Sequence, residues 1–225
     1  TIITPTAARP KERMEFVYEQ LFSPEVGYVV TTGYGRELLP QSDKKITEIT
    51  CHARGAALLC PGIDCVVDIG GQDSKAILLD RSCNVADFVM NDKCAAGTGR
   101  FIEMMSRILD CPLDLIDEFV VGKSPIEITS MCTVFAESEI ISLLAEGDDR
   151  GDIALGVIRA ICRRTSFFAQ KLRPARKVFF SGGLARFEVF RGTMQELIGL
   201  PVATHPQSQF AGAIGAAAIG WQKLR

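Results

Sequence analysis

Residues 66 to 79 restrict the fold more than any other part of the chain. Val66-Val67-Asp68-Ile69 is a mainly β-branched run, broken by Gly70-Gly71-Gln72-Asp73-Ser74-Lys75 and resumed by Ala76-Ile77-Leu78-Leu79. Apolar runs this short, bounded by glycine, predict strand, tight turn, strand. Residues 85–90 add a third strand to a meander. The turn also carries chemistry. Backbone N–H groups bared by Gly70 and Gly71 can cradle a phosphate, and Asp68 at a strand end can hold magnesium through water. A plain hairpin explains the turn alone equally well.

The remaining pattern alternates helix and strand. Pro10 suits a first helical residue, and Met14, Val17, Tyr18 and Leu21 form an apolar stripe ending near Pro24. A strand is expected over 26–31, running into the loop Thr32-Gly33-Tyr34-Gly35-Arg36, then a helix over 44–59 carrying Cys51-His52. Further on, the expectations are a short strand over 126–129 and a long helix capped by Asp152 and ended by Pro174. A buried strand at 178–180 ends in Ser181-Gly182-Gly183, a close-approach turn that can admit a nucleotide or merely join strand to helix. A strand near 201–204 precedes a terminal helix in which Gly212, Ala216 and Gly220 stand four apart, a spacing for close helix packing. Strands alternating with helices indicate the α/β class.

Two cysteines occupy a distinctive setting. Cys94 lies in Asn91-Asp92-Lys93-Cys94-Ala95-Ala96-Gly97-Thr98-Gly99-Arg100-Phe101, ahead of a helix with Met104, Met105, Ile108 and Leu109. Cys132 lies in Ser130-Met131-Cys132-Thr133, ahead of Val134, Phe135, Ile140, Ile141 and Leu144. A helix start exposes unpaired N–H groups and the positive end of a dipole, which favour anions and thiolates, and Lys93 adds to that bias. Two thiolates are half of a four-cysteine iron–sulfur site, and a two-fold dimer supplies the other half. The competing reading is two buried small hydrophobes. Cys51, Cys60, Cys65, Cys83, Cys111 and Cys162 are expected to be structural.

Composition narrows the function. The 225 residues are 47% hydrophobic, enough for a core without a disulfide framework, and the eight cysteines are too scattered for one. A net charge of −2 gives no reason to expect nucleic-acid or acidic-membrane binding. No apolar run reaches the roughly 18 residues of a membrane helix and no secretory signal is visible, so a cytoplasmic location is expected. Gly122-Lys123-Ser124 imitates the end of a P-loop, but Asp117 stands where the opening glycine belongs. With His52 and His205 the only histidines, a Ser-His-Asp triad lacks material. A zinc site from Cys51, His52, Cys60 and Cys65 fits no common spacing.

Residues 68–75, 90–101, 131–139 and 209–217 together resemble the ATP-dependent activators of 2-hydroxyacyl-CoA dehydratases. That group includes the benzoyl-CoA reductase ATPase subunits and the reductases of double-cubane cluster proteins. The resemblance covers the chain from Thr32 onward. It implies an actin/hexokinase-type (ribonuclease H-like) ATPase fold of two lobes and a homodimer bridged by one 4Fe–4S cluster, held by Cys94 and Cys132 of each subunit. It also implies that Mg2+-dependent ATP hydrolysis drives a low-potential electron into a partner iron–sulfur dehydratase or reductase. By position, Asp68 and Gln72 become catalytic. ATP or ADP would lie against Gly70, Gly71, Asp73, Ser74, Lys75, Gly97, Thr98, Gly99, Gly182, Gly183 and Gln209.

The same resemblance divides the chain into a remnant of an N-terminal lobe (1–60), a C-terminal ATPase lobe with both cluster cysteines (61–207) and a terminal helix packing back on the first lobe (208–225). ATP is expected between lobes, with Gly70-Gly71 on one wall and Gly182-Gly183 on the other. Members of the group open with a strand–turn–strand carrying a first phosphate loop. None precedes Thr1, and a missing N-terminal part is the expected reason. Two rivals stand beside this reading. A small-molecule kinase on the same scaffold leaves the two cysteine-bearing helix starts unexplained, and a nucleotide-gated interaction protein would do without hydrolysis.

Overall fold

The glycine-interrupted run forms the middle of a sheet. A computed structural model of the chain describes residues 1–6, 8–92, 97–130, 132–172 and 176–224. In chain order it contains α1 (Pro10–Leu21), β1 (Val30–Thr31), β2 (Lys44–Lys45), α2 (Glu48–Leu59), β3 (Cys65–Ile69), β4 (Ser74–Leu79), β5 (Val85–Asn91), α3 (Gly99–Ile108), α4 (Ile116–Phe119), α5 (Thr133–Glu146), α6 (Arg150–Lys171), β6 (Val178–Gly182), α7 (Glu188–Ile198), β7 (Val202–Ala203) and α8 (Ala211–Trp221). The main sheet has the order β5-β4-β3-β6-β7. Its β5-β4-β3 half is the antiparallel meander expected from the sequence, and β6 and β7 join β3 in parallel. A short parallel pair, β1 and β2, stands apart.

Side chains of a strand alternate between faces, and here they divide two cores. Val67, Ile69, Ala76, Val178 and Phe180 face the larger core, built against α3, α5, α6 and α7. Val66, Ile77, Leu79 and Phe179 face the smaller one, under α2 and the start of α8. The α2–α8 contact depends on glycine: a Cβ at Gly55 would overlap the Ala211 carbonyl oxygen, and one at Gly215 the Cys51 carbonyl oxygen. Of the residues read as a packing stripe, Gly212 faces His52 of α2, whereas Gly220 faces Val30 of β1.

Several boundaries differ from the expectations. The strand over 26–31 is reduced to Val30–Thr31, and the helix over 44–59 begins at Glu48 because Thr47 caps it. The stripe on α1 buries no residue. Residues 126–129 form no strand. The Ser124 amide donates to the Asp152 side chain (2.8 Å) and that of Ile126 to the Asp152 carbonyl (3.1 Å). At Gly156 a Cβ would overlap the Ile126 carbonyl oxygen. The segment is therefore strapped along α6 instead of pairing with a strand. Asp149, not Asp152, caps α6, accepting from the amides of Gly151 and Asp152. Pro174 and Cys94 lie outside the described residues. Among the described residues no helix is long and apolar enough to cross a membrane.

Candidate active site

Register brings the site together. Asp68 on β3 is paired with Lys75 on β4 and with Ser181 on β6, so three polar side chains form one row across three adjacent strands. Their parity matches Val66, Ile77 and Phe179, which sends them toward α2. There His52 meets them. The Ser181 hydroxyl donates to Asp68 Oδ1 (2.6 Å), His52 Nε2 lies 3.3 Å from the same oxygen, and Lys75 Nζ is 2.9 Å from Oδ2. Lys75 also donates to Asp73 Oδ1 at 3.1 Å. Asp68, Lys75 and Ser181 are 3%, 2% and 0% exposed.

Burying charges without partners is prohibitive, and here two carboxylates face two cations. Burial alone would raise the Asp68 pKa, but the charges of His52 and Lys75 and its hydrogen bonds hold it far below the carboxylate range. Burial likewise works against charged Lys75 and His52. The Asp68 carboxylate, helped by Asp73 at Lys75, outweighs it and raises both. Asp68 is thus firmly ionised.

The row runs into the glycine turns at one end of the sheet. Ile69 pairs with Gly182, so Gly70-Gly71 and Gly182-Gly183 leave neighbouring parallel strands side by side, not from two facing walls as expected. Gly182 must be glycine: its φ is +94°, and a Cβ would overlap the Ile69 carbonyl oxygen. Gly70 and Gly71 are not in the left-handed region. The Gly70 amide is already engaged, donating to the Asp73 carbonyl (2.9 Å). Among the described residues no heavy atom beyond its chain neighbours lies within 4 Å of a Cβ built on Gly71. Gln72 is exposed beside it, and Ser74 is buried. The Gln209 side-chain nitrogen lies 3.8 Å from the Cβ position of Gly183. Burial and the carboxylates of Asp73, Asp92 and Glu48 raise the Tyr34 pKa.

The turn also seats α3. The amides of Gly99 and Arg100 donate to the carbonyls of Gly70 (2.8 Å) and Gly71 (3.1 Å), with Gly97 and Thr98 buried just before them. Cys132 is the exposed N-cap residue of α5. Two residues that the sequence reading did not select hold the loops next to the cysteines. Glu139 accepts from the Thr129 amide and hydroxyl (2.9 Å each) and from the Ser130 amide (2.8 Å). Arg164 on α6 donates to the Ser130 carbonyl (3.4 Å), and its Cδ lies 3.8 Å from the Cβ position of Gly97. Arg164 therefore touches flanks of both cysteine loops. Of the others, Cys51, Cys65, Cys111 and Cys162 are buried and Cys60 and Cys83 half-buried; burial pushes Cys65 up to about 12 and also raises Cys162.

Known proteins resemble this chain in sequence and fold. An uncharacterized protein, YjiL, of Escherichia coli (strain K12) is 46% identical over 225 residues, which covers 99% of this chain and 88% of the relative. The (R)-2-hydroxyglutaryl-CoA dehydratase activating ATPase of Acidaminococcus fermentans is 40% identical over 201 residues, 88% of this chain and 77% of the relative. The activator of the 2-hydroxyisocaproyl-CoA dehydratase from Clostridium difficile, solved with bound ADPNP, superposes with a TM-score of 0.88 at 36% identity, covering 95% of this chain and 81% of that one. A xylulose kinase from Lactobacillus acidophilus shares the fold alone, at a TM-score of 0.55 and 14% identity. This likeness fits the actin/hexokinase-type architecture. Residues 19–220 match the BadF/BadG/BcrA/BcrD ATPase family, and the chain belongs to that family of ATPases.

Proposed function

We propose that this ATPase couples ATP hydrolysis to delivery of a low-potential electron to a partner iron–sulfur enzyme of the 2-hydroxyacyl-CoA dehydratase class. The observation that carries it is the pair of hydrogen bonds that the Gly99 and Arg100 amides donate to the Gly70 and Gly71 carbonyls. The turn placed to meet the phosphates is also the seat of the helix that follows Cys94, so a shift of one is felt by the other.

On the nucleotide side, a carboxylate offers about four lone-pair sites. Three at Asp68 are taken by His52, Ser181 and Lys75, leaving about one for a magnesium-bound water. With three sites already engaged, Asp68 would orient the water at the remaining one instead of taking its proton. Gln72, exposed in the turn, is assigned to the same water. Asp73, Ser74 and Lys75 shape the turn from below, Thr98 and Gly99 from α3, and Gly182, Gly183 and Gln209 form the adjoining wall. We assign 1–60 to an N-terminal lobe on which α8 rests, and 61–207 to the ATPase lobe.

On the electron side, Cys132 presents an exposed thiol at the head of a 14-residue helix. Around it Val134, Phe135 and Ile141 are 67%, 67% and 52% exposed, an apolar surface suited to a second copy of the chain. A two-fold axis there supplies four thiolates, Cys94 and Cys132 from each subunit, for one 4Fe–4S cluster. When bound, that cluster supplies a one-electron, low-potential centre. The test is anaerobic reconstitution with iron counted per chain, followed by phosphate release from MgATP and ATP-dependent reduction of a dehydratase. Phosphate release with no iron bound would leave only the ATPase. A phosphorylated sugar as product would favour the kinase.

A further inference from the structure

His52 is the one ionisable side chain of the buried site that comes from α2 and not from the sheet. Its Nδ1 lies 2.9 Å from the Glu48 carbonyl oxygen, and its Nε2 lies 3.3 Å from Asp68 Oδ1. A backbone carbonyl can only accept, so Nδ1 donates to Glu48, which turns Nε2 toward the Asp68 carboxylate. We propose that His52 is a positioning residue for ATP hydrolysis, reaching from α2 to fix the orientation of the Asp68 carboxylate.

The packing around it supports a fixed ring. The side chain is 17% exposed, and a Cβ on Gly212 of α8 would come within 3.0 Å of Cε1 and 3.3 Å of Nδ1. Glycine at 212 thus leaves the ring the space it occupies. Without His52, Asp68 Oδ1 keeps only the Ser181 hydroxyl, and Lys75, shared with Asp73, becomes the sole cation holding the carboxylate. A carboxylate released from one side can rotate, and misplacing a catalytic group by about 1 Å can lower turnover on the order of 100-fold.

This role rests on the ATPase half of the proposed function and not on the electron-transfer half. The experiment is steady-state phosphate release from MgATP by the whole chain, with a melting curve for each variant. Glutamine sets a donor near the place of Nε2, whereas asparagine is too short to reach Asp68. His52→Asn is expected to lower kcat at least about tenfold, with KM for ATP changed less than about threefold, and His52→Gln to recover most of that loss. Gly212→Ala keeps the histidine but crowds its ring, and is expected to lower kcat likewise at a melting temperature near that of the wild type. It decides the matter if His52→Asn does not fold. Unchanged kcat in His52→Asn, or in Gly212→Ala when the former does not fold, would overturn the role, as would a glutamine variant no better than the asparagine one. Wild type that releases no phosphate would overturn the ATPase reading and the role with it.

Discussion

Glu139 holds the approach to Cys132 with three hydrogen bonds, all from the two residues Thr129 and Ser130. Burial would raise its pKa, but the Ser130 and Thr129 donors lower it below the ordinary glutamate value. A depressed carboxylate adds stability that is fully present above its unfolded pKa, about 4.3, and is lost as pH falls through the folded value. Glu139→Gln should therefore cost about 1–2 kcal/mol at pH 7, and the gap in urea midpoints should narrow on acidification. A gap that is the same at pH 7 and pH 4 would contradict the assignment. Gly71 gives a second prediction. Because a Cβ there meets nothing within 4 Å among the described residues, Gly71→Val should fold normally yet lose nucleotide affinity by steric exclusion, as titration with a labelled ATP would read. Retained affinity would move the phosphates elsewhere. Asp68 was legible in the sequence as an acidic side chain at a strand end beside a glycine turn, and Lys75 only through the family resemblance. His52, Glu139 and Arg164 were not, since nothing local marks a residue whose partners lie on other elements.

Helices α2 and α8 pack with backbone almost against backbone, and this contact carries His52 to the sheet. Gly55→Ala would drive a methyl group into the Ala211 carbonyl. Overpacking of this kind typically costs about 1–3 kcal/mol, so a fall in melting temperature of roughly 3–10 °C is expected. A variant as stable as the wild type would mean that the two helices separate cheaply. At this scale the sequence was informative wherever apolar runs met glycine or proline. The β3-β4-β5 meander and β6 were readable for that reason. It misled at 126–129, because an apolar run has the same appearance whether its amides find a strand or, as here, the first turn of α6. The cap of α6 was displaced by a similar ambiguity. Asp149 and Asp152 are both acceptable caps, and the choice falls to Asp149 because Asp152 is occupied by Ser124.

The main sheet lies between two cores, with the glycine turns at one end and residues 124–130 held along α6. If the proposed dimer forms, anaerobic reconstitution should give four irons per two chains. Cys132→Ser should abolish iron binding and weaken the dimer in analytical ultracentrifugation. Cys162→Ser, whose side chain is buried against the Phe190 carbonyl, should keep its iron. A full cluster without Cys132 would exclude the bridging arrangement. The fold class was legible from alternating strands and helices, but the side-by-side placement of the glycine turns was not, because only sheet order reveals it. The seating of α3 has a consequence for amide hydrogen exchange. The first amides of a helix ordinarily lack partners and exchange quickly, but those of Gly99 and Arg100 are bonded to carbonyls of the turn. Their protection thus depends on the shape of a segment outside their own helix. If the turn tightens on MgATP and relaxes on MgADP, these two protons should exchange at different rates in the two complexes while Ile102, deep in the core, does not change. Equal rates at both positions would mean that the turn keeps one shape throughout the cycle.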